Sequence, residues 1–324
     1  MTEIVAADIG GTHARFALAR LDGAGAVAAL DEPVVLRCAD HASLQAAWAA
    51  FGATVPRPLP RAAAIAVAGP VGGDELHFTN NAWVIQPALL NAQLGVDAHV
   101  LINDFAAVAA AVAVCPADQF SPLCGPDVAL PGTGAISVIG PGTGLGVGLL
   151  LKRSAVDWQV LPTEASHGDF APVDAVDDAI LAHFRQKYDR VSAERVISGP
   201  GLADIRAALA GLEGVTAAPL SDADLWRLAL AGEDRLAAAA LDRFCGALGS
   251  FAGNIALAHG ASGVVIGGGL GARLAGVLPQ SAFAARFVAK GRFAALLSSI
   301  PVKLITHPQP GLLGAAAAFG RTIQ

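Results

Sequence analysis

Two glycine-rich turns, each between apolar strand patterns, lie at matching places in the two halves of the chain. The first occupies residues 8–15 (DIGGTHAR), between apolar runs at residues 3–8 and 15–21. The second occupies residues 140–146 (GPGTGLG), inside a hairpin pattern over residues 135–151. A hairpin that recurs with helices behind it predicts an α/β protein with two similar lobes. We name these turns the first and the second glycine loop.

The first half has the clearer order of elements, βββαβαβ. Its predicted elements are strands at residues 3–8, 15–21 and 33–38, a helix capped by Ser43, a strand at residues 63–68, a helix at residues 87–94 and a strand at residues 99–102. In the second half, a third strand near residues 159–161 precedes mostly helical sequence, with the longest helix predicted at residues 233–259. Strands at residues 263–266 and 302–306 complete a second sheet that helical insertions interrupt. Because 324 residues exceed what one core usually supports, we expect a cleft between two lobes.

The composition favours a cytoplasmic protein that binds a small molecule. The formal net charge is -6 and no run of Lys or Arg occurs, so the basic surface that nucleic acids or anionic membranes require is not expected. The first strand pattern starts at Ile4, which leaves no room for a signal peptide. The four cysteines lack the spacing of a metal or redox motif and are predicted to be reduced thiols.

Two long uncharged stretches, residues 128–151 and 244–272, resemble membrane spans by hydropathy alone. Both are rich in glycine, and the second also contains Asn254, His259 and Ser262. We therefore predict strands and turns in the first stretch, and a buried helix followed by a strand in the second.

The two glycine loops are candidate phosphate-binding sites. Glycine allows backbone N–H groups to approach an anion closely, and a threonine in each loop adds a hydroxyl donor. Either loop alone is equally well explained as an ordinary hairpin turn, but two at equivalent places favour phosphate binding. Neither loop matches the P-loop or the Rossmann pattern. The candidate residues are Gly10, Gly11, Thr12, Gly142, Thr143 and Gly144.

Asp8 and a third glycine cluster, residues 267–269, extend this candidate nucleotide site. A carboxylate beside a phosphate needs a cation between them, so Asp8 is predicted to orient hydrated Mg²⁺ without binding it directly. The alternative is that Asp8 accepts hydrogen bonds from turn N–H groups. Gly267, Gly268 and Gly269 follow a strand at a βα turn and are predicted to lie against the base or ribose.

Asn103 and Asp104 end a predicted strand and precede an Ala/Val-rich helix at residues 105–114. Asp104 could serve only as the helix N-cap. It could equally accept the proton of a substrate hydroxyl, since ligands bind at strand ends in α/β sheets and phosphoryl transfer to an alcohol needs one base. Asn103 offers a donor and an acceptor to a sugar hydroxyl.

Polar residues are dense in residues 161–170 (LPTEASHGDF), which we name the polar loop. Glu164, His167 and Asp169 could hold a metal, but a second histidine and the HExxH spacing are missing, so a sugar site is favoured. Glu194 lies in the first turn of a short predicted helix, where the helix dipole alone would explain a carboxylate.

These residues fall in motifs through which the chain resembles the bacterial glucokinases of the hexokinase, actin and Hsp70 ATPase superfamily over nearly its full length. The motifs are residues 8–15 (DIGGTHAR), 79–83 (TNNAW), 102–105 (INDF), 142–147 (GTGLGV), 164–172 (EASHGDFAP), 194–201 (ERVISGPG) and 310–315 (PGLLGA).

The resemblance implies two actin-like, ribonuclease H-like lobes: a small lobe of residues 1–104 plus about 305–324, and a large lobe of residues 105–304. It implies transfer of a phosphoryl group from ATP, with Mg²⁺, to the 6-hydroxyl of glucose, with Asp104 as the catalytic base. It assigns the glycine loops to the ATP phosphates and residues 267–269 to adenosine, and it implies a homodimer. The substrate-binding residues that it implies are Asn80, Asn103, Asp104, Glu164, His167 and Glu194.

One position departs from the family pattern, because His13 stands where the first loop usually has asparagine. A related kinase for another hexose or an amino sugar would share these hydroxyl-binding residues. A non-catalytic sugar-sensing regulator is disfavoured, because no DNA-binding extension precedes the first strand pattern.

Overall fold

A computed structural model describes residues 1–78 and 81–323. The chain forms two compact units. Unit 1 comprises Met1–Pro116, Gln159–Pro162 and the chain from His307 onward, and unit 2 comprises Ala117–Trp158 and Thr163–Thr306.

Strands and helices occur throughout the described residues. The strands are β1 Thr2–Ile9, β2 His13–Leu21, β3 Val27–Leu30, β4 Val34–Arg37, β5 Ala62–Val67, β6 Leu76–Phe78, β7 Asn81–Ile85, β8 Ala98–Asn103, β9 Phe120–Cys124, β10 Gly134–Pro141, β11 Leu145–Lys152, β12 Trp158–Thr163, β13 Gly263–Ile266 and β14 Val302–Ile305. The α-helices are α1 Leu44–Thr54, α2 Leu90–Leu94, α3 Asp104–Val114, α4 Ala175–Phe184, α5 Ala193–Val196, α6 Gly201–Leu212, α7 Asp222–Ala231, α8 Arg235–His259, α9 Gly268–Arg273, α10 Phe283–Val288, α11 Ala294–Ser298 and α12 Pro310–Gly320. Short 3-10 helices occupy Cys38–Asp40, Pro87–Leu89, Ala117–Gln119, Ala165–His167, Leu278–Gln280 and Gly291–Phe293.

The main sheet of unit 1 has the order β3-β2-β1-β5-β8, with β4 also paired to β2. β1 is antiparallel to β2 and parallel to β5, and β5 is parallel to β8. Side chains alternate across β1, so both faces are covered. Val5, Ala7 and Ile9 join one core cluster with α1, while Ile4 and Ala6 join another with α12. The predicted βββαβαβ order is confirmed, with β3 and the β6–β7 hairpin as additions.

The main sheet of unit 2 has the order β12-β11-β10-β13-β14-β9 and repeats the pattern of an antiparallel hairpin beside parallel strands. β13 was predicted residue for residue, because a short apolar run bounded by glycines signals a buried strand. β9 was not predicted, since Pro122 interrupts its pattern. It is an edge strand antiparallel to β14, where proline is tolerated.

The core of unit 2 forms around α8, the longest helix. Phe184, Phe244, Phe283 and Phe287 are fully buried in one cluster with it. The predicted helix at residues 233–259 begins two residues later than expected, because the side chain of Asp234 caps it. Within residues 1–78 and 81–323, no helix is both long and apolar enough to cross a membrane.

Candidate active site

The first glycine loop joins β1 to β2 in unit 1 and is closed by backbone hydrogen bonds. The N–H of Gly10 donates to the carbonyl of His13 over 3.0 Å, and the N–H of Cys38 donates to the carbonyl of Thr12 over 2.9 Å. Because the contact of residue 13 uses its backbone, histidine closes this loop as asparagine would. Thr12 is exposed, so its hydroxyl is accessible to a ligand.

Asp8 lies next to the end of β1, beside this loop. Its Oδ2 lies 3.6 Å from Nη1 of Arg15. Burial raises the pKa of the Asp8 carboxyl, and the charge of Arg15 partly opposes that shift. Among the hydrogen bonds of residues 1–78 and 81–323, none joins a turn N–H to Asp8, so the turn-capping alternative is not supported. A half-buried carboxylate beside a candidate phosphate-binding loop suits the orientation of a hydrated cation.

The backbone at residue 311 approaches the carboxylate of Asp8 closely because residue 311 is glycine. A Cβ on Gly311, at the start of α12, would lie 2.8 Å from Oδ2 of Asp8 and 2.9 Å from its Cγ. This contact places the start of α12 against the carboxylate. Sequence reasoning found the surrounding motif at residues 310–315 but assigned it no role.

Asn103 ends β8 and acts as the N-cap of α3. Its Oδ1 accepts hydrogen bonds from the N–H groups of Phe105 and Ala106, at 2.9 and 3.0 Å. Its Nδ2 donates to the carbonyl of Gly69 over 3.1 Å. The alternative in which Asp104 caps this helix is therefore wrong: the cap lies one residue earlier. The amide of Asn103 has a second N–H, which provides one donor for a ligand.

Asp104 is the first residue of α3 and is half-buried. Its Oδ1 accepts a hydrogen bond from the N–H of Phe105 over 2.8 Å. The positive end of the helix dipole favours the ionised carboxylate, which is the form able to accept a proton. The local geometry therefore suits a general base.

The second glycine loop joins β10 to β11 in unit 2. The N–H of Gly142 donates to the carbonyl of Gly144, and the N–H of Gly199 donates to the carbonyl of Gly142, each over 2.8 Å. Thr143 is exposed at the tip, as Thr12 is in the first loop. The two loops thus repeat one design, a closed turn with an accessible threonine.

The third glycine cluster lies directly beside the second loop. The N–H of Gly267 donates to the carbonyl of Ile139 over 2.8 Å. Gly268 has a φ of 77°, and a Cβ there would lie 2.8 Å from the carbonyl oxygen of Pro141. Glycine is required at this position both by the left-handed backbone and by the close approach. Unit 2 therefore brings together two of the predicted nucleotide-binding segments.

The polar loop presents Glu164 and His167 side by side. Both are exposed, and Nε2 of His167 lies 3.7 Å from Oε2 of Glu164. The carbonyl of Gly168 accepts a hydrogen bond from the N–H of Ala193 over 2.8 Å, which ties this loop to α5. In the described part of the chain, no group of three or more His, Cys, Asp or Glu side chains is close enough to hold a metal ion.

Glu194 lies in the first turn of α5, but its carboxylate contacts another segment. Its Oε2 accepts a hydrogen bond from the N–H of Leu145 over 3.1 Å, directly after the second glycine loop. The helix dipole alone does not explain that contact. Unit 2 thus contains Glu164, His167, Glu194 and the second loop, whereas unit 1 contains Asp8, the first loop, Asn103 and Asp104. Asn80, the other predicted substrate-binding residue, lies outside the described residues.

Several known proteins are similar to this chain in sequence and in fold. A family model described as Glucokinase matches residues 5–322. The glucokinase of Zymomonas mobilis subsp. mobilis is 58% identical over 317 residues, which are 98% of this chain and 97% of that protein. The crystal structure of a glucokinase from an Antarctic psychrotroph has a TM-score of 0.85 and 36% identity, with 99% of both chains covered. A ROK family glucokinase from Streptomyces griseus, in complex with glucose and AMPPNP, has a TM-score of 0.63 at 20% identity, again with 99% of both chains covered.

The duplicated sheets with glycine loops at their strand ends have the actin-like ATPase fold, and the match to glucokinases over nearly the whole chain makes the protein a sugar kinase of that fold. Because the family match spans nearly the whole sequence, the chain belongs to the glucokinase family. The resemblance that the motifs indicated and the predicted fold class are confirmed.

Proposed function

We propose that this protein transfers the γ-phosphoryl group of ATP to the 6-hydroxyl of D-glucose and so forms glucose 6-phosphate. The observation that carries the proposal is the 58% identity to the Zymomonas glucokinase over 98% of the chain. The geometry agrees with it, because a half-buried carboxylate stands at a helix N-terminus and two closed glycine loops present accessible threonines. No comparison favours another hexose, an amino sugar or a regulatory role.

On the acceptor side, Asp104 is proposed as the base that takes the proton of the 6-hydroxyl. Asn103 contributes its remaining N–H to the sugar, and Glu164, His167 and Glu194 bind other hydroxyls. Carboxylates and imidazole suit this role because adjacent hydroxyls both donate and accept hydrogen bonds. Asn80 is retained in this proposal on the resemblance alone.

On the donor side, the backbone N–H groups and threonines of both glycine loops are proposed to bind the phosphates of ATP, with Gly267, Gly268 and Gly269 beside the adenosine. Mg²⁺ enters with ATP as part of the substrate and neutralises phosphate charge. Asp8 fits a role in orienting the water shell of that cation, because its carboxylate is half-buried and lies beside the first loop.

We further propose that the enzyme works in the cytoplasm as a homodimer and supplies glycolysis with glucose 6-phosphate. The absence of a basic patch in the sequence supports small-molecule substrates over nucleic acid or membrane partners. The lobe boundaries at residues 104 and about 305 also remain a proposal.

The direct test is a measurement of ADP release with Mg-ATP and each of five sugars: glucose, fructose, mannose, galactose and N-acetylglucosamine. We expect kcat/KM to be highest for glucose. A higher kcat/KM for another sugar would reassign the substrate, and no turnover with any of them would favour the sugar-sensing regulator.

Asp8→Asn should stabilise the protein while it lowers activity. Burial raises the pKa of this carboxyl above its ordinary value of 3.8, so ionised Asp8 destabilises the folded state once pH exceeds the raised pKa. We expect the variant to melt about 2 °C higher at pH 7.5, with kcat about 10- to 100-fold lower. The difference in Tm should shrink as pH falls towards 3.8, because wild-type Asp8 then becomes neutral too. A variant that is less stable at pH 7.5 would show that the pairing with Arg15 outweighs the cost of burial.

A further inference from the structure

One short segment, Glu194 to Gly199, contacts the second glycine loop on both sides of its tip. At one end, the N–H of Gly199 donates to the carbonyl of Gly142 over 2.8 Å. At the other, Oε2 of Glu194 accepts from the N–H of Leu145 over 3.1 Å. The segment thus forms hydrogen bonds with the loop on both sides of its exposed tip at Thr143.

Gly144 leaves the space that the contact with Glu194 requires. A Cβ at residue 144 would lie 2.5 Å from Oε2 of Glu194 and 3.2 Å from its Cδ. Gly144 is not among the glycines with positive φ, so its backbone does not itself demand glycine. The absence of a side chain therefore serves the close approach of the Glu194 carboxylate.

The segment that carries Glu194 is itself fixed in unit 2. Oγ of Ser192 accepts from the N–H of Arg195 over 3.4 Å, and the N–H of Ala193 donates to the carbonyl of Gly168 over 2.8 Å. Nε1 of Trp226 donates to the carbonyl of Gly199 over 3.2 Å. Trp226 is buried and packs edge-on against Phe244 with ring centroids 5.5 Å apart. The end of the segment at Gly199 is therefore fixed to the core of unit 2.

We infer that Glu194 is a positioning residue for the second glycine loop as well as a ligand of the sugar, so that one carboxylate couples the two substrate sites. Oε2 holds the loop, while Oε1 has no hydrogen-bond partner among the described residues and can accept from a sugar hydroxyl. The sugar half of this inference rests on the proposed function. The assignment of the loop to the ATP phosphates also belongs to the proposed function, whereas the hold of Glu194 on the loop rests on the contacts of Glu194 and Gly144.

The test compares Glu194→Ala with Glu194→Gln. Glutamine keeps an oxygen that can accept from the N–H of Leu145, whereas alanine loses it. The Kd of Mg-AMPPNP, measured calorimetrically without sugar, should rise about 10-fold in Glu194→Ala and stay within about 2-fold in Glu194→Gln. The KM for glucose should rise in both variants. An unchanged or lower nucleotide Kd in Glu194→Ala would overturn the inference. If the carboxylate served only the sugar, its removal would leave the nucleotide Kd unchanged. If the carboxylate repelled the phosphates, its removal would lower that Kd.

Gly144→Ala provides a second test that keeps Glu194 in the chain. The new Cβ should push the flexible carboxylate off Leu145 and raise the nucleotide Kd by a similar factor. If Gly144→Ala acts through Glu194, combining it with Glu194→Ala should raise the nucleotide Kd little beyond that of Glu194→Ala alone. Fully multiplicative effects would mean that the Cβ blocks phosphate directly and would contradict this role of Gly144. Gly211→Ala is the matched control, because a Cβ there meets nothing within 4 Å.

These measurements separate the inference from the proposed function. Nucleotide binding without sugar does not depend on which sugar the enzyme phosphorylates. If glucose proved not to be the substrate, the KM arm would fail while the nucleotide arm still tested the hold of Glu194 on the loop. If nucleotide affinity were insensitive to Glu194→Ala while wild-type turnover of glucose was normal, the coupling inferred here would be lost and the proposed kinase activity would stand.

Discussion

Asp104→Asn should lower kcat about 10²- to 10⁴-fold while the Kd for glucose changes by only a few-fold. The amide has nearly the shape of the carboxylate and keeps an oxygen that can accept from the N–H of Phe105, as Oδ1 of Asp104 does over 2.8 Å. The helix start should survive, because its cap is Asn103 and not Asp104. What the variant loses is the ability to take the proton of the sugar hydroxyl.

The measurement is a steady-state kcat with Mg-ATP, together with calorimetric titration of glucose and a melting curve. Equal Tm and near-equal glucose affinity would establish that the loss of kcat is chemical. Asn103→Asp is an informative companion, since aspartate also caps helices but cannot donate to the carbonyl of Gly69, which Asn103 does over 3.1 Å. Near-normal turnover in Asp104→Asn would remove the base assignment.

Local patterns in the sequence predicted most of the framework. β13 and the hairpin of β10 and β11 followed from apolar runs punctuated by glycine, because those signals lie within a few residues of each other. The missed elements have identifiable causes. β9 contains Pro122, which argues against a strand unless that strand is known to lie at the edge of the sheet. The β3 strand is short and follows a turn with no strong pattern of its own.

The candidate site was predicted as a set of side chains, but not as a set of contacts. Asn103 and Asp104 were recognised together, but which of them caps α3 depends on the residue at which the helix begins. The helix begins at Asp104, so Asn103 is the cap. The bond between Glu194 and Leu145 joins positions 49 residues apart, so no local pattern could reveal it. Gly199 and Gly311 were overlooked for a related reason: Gly199 contacts the distant Gly142 through a backbone hydrogen bond, and Gly311 leaves space for the distant Asp8.

Gly314→Ala should be among the most damaging single substitutions in unit 1. A Cβ at this position of α12 would lie 1.6 Å from the carbonyl oxygen of Ala107 and 2.9 Å from the amide nitrogen of Ala111. Both atoms belong to the backbone of α3, so no side chain can rotate away and the two helices must separate. Overpacking of this kind costs about 3 kcal/mol, and we expect Tm to fall by about 6–12 °C.

The same substitution should also reduce activity in the molecules that remain folded. Asp104 is the first residue of α3, so a shift of that helix moves the proposed base, and a displacement of about 1 Å can cost about 10²-fold in rate. Melting curves and kcat at a temperature well below Tm would measure the two effects separately. Gly23→Ala is the matched control in unit 1, because a Cβ there meets nothing within 4 Å and should change the free energy of unfolding by less than about 0.5 kcal/mol. A Gly314→Ala protein with wild-type Tm and kcat would show that α3 and α12 are not held in backbone contact, and that Asp104 does not depend on this packing for its position.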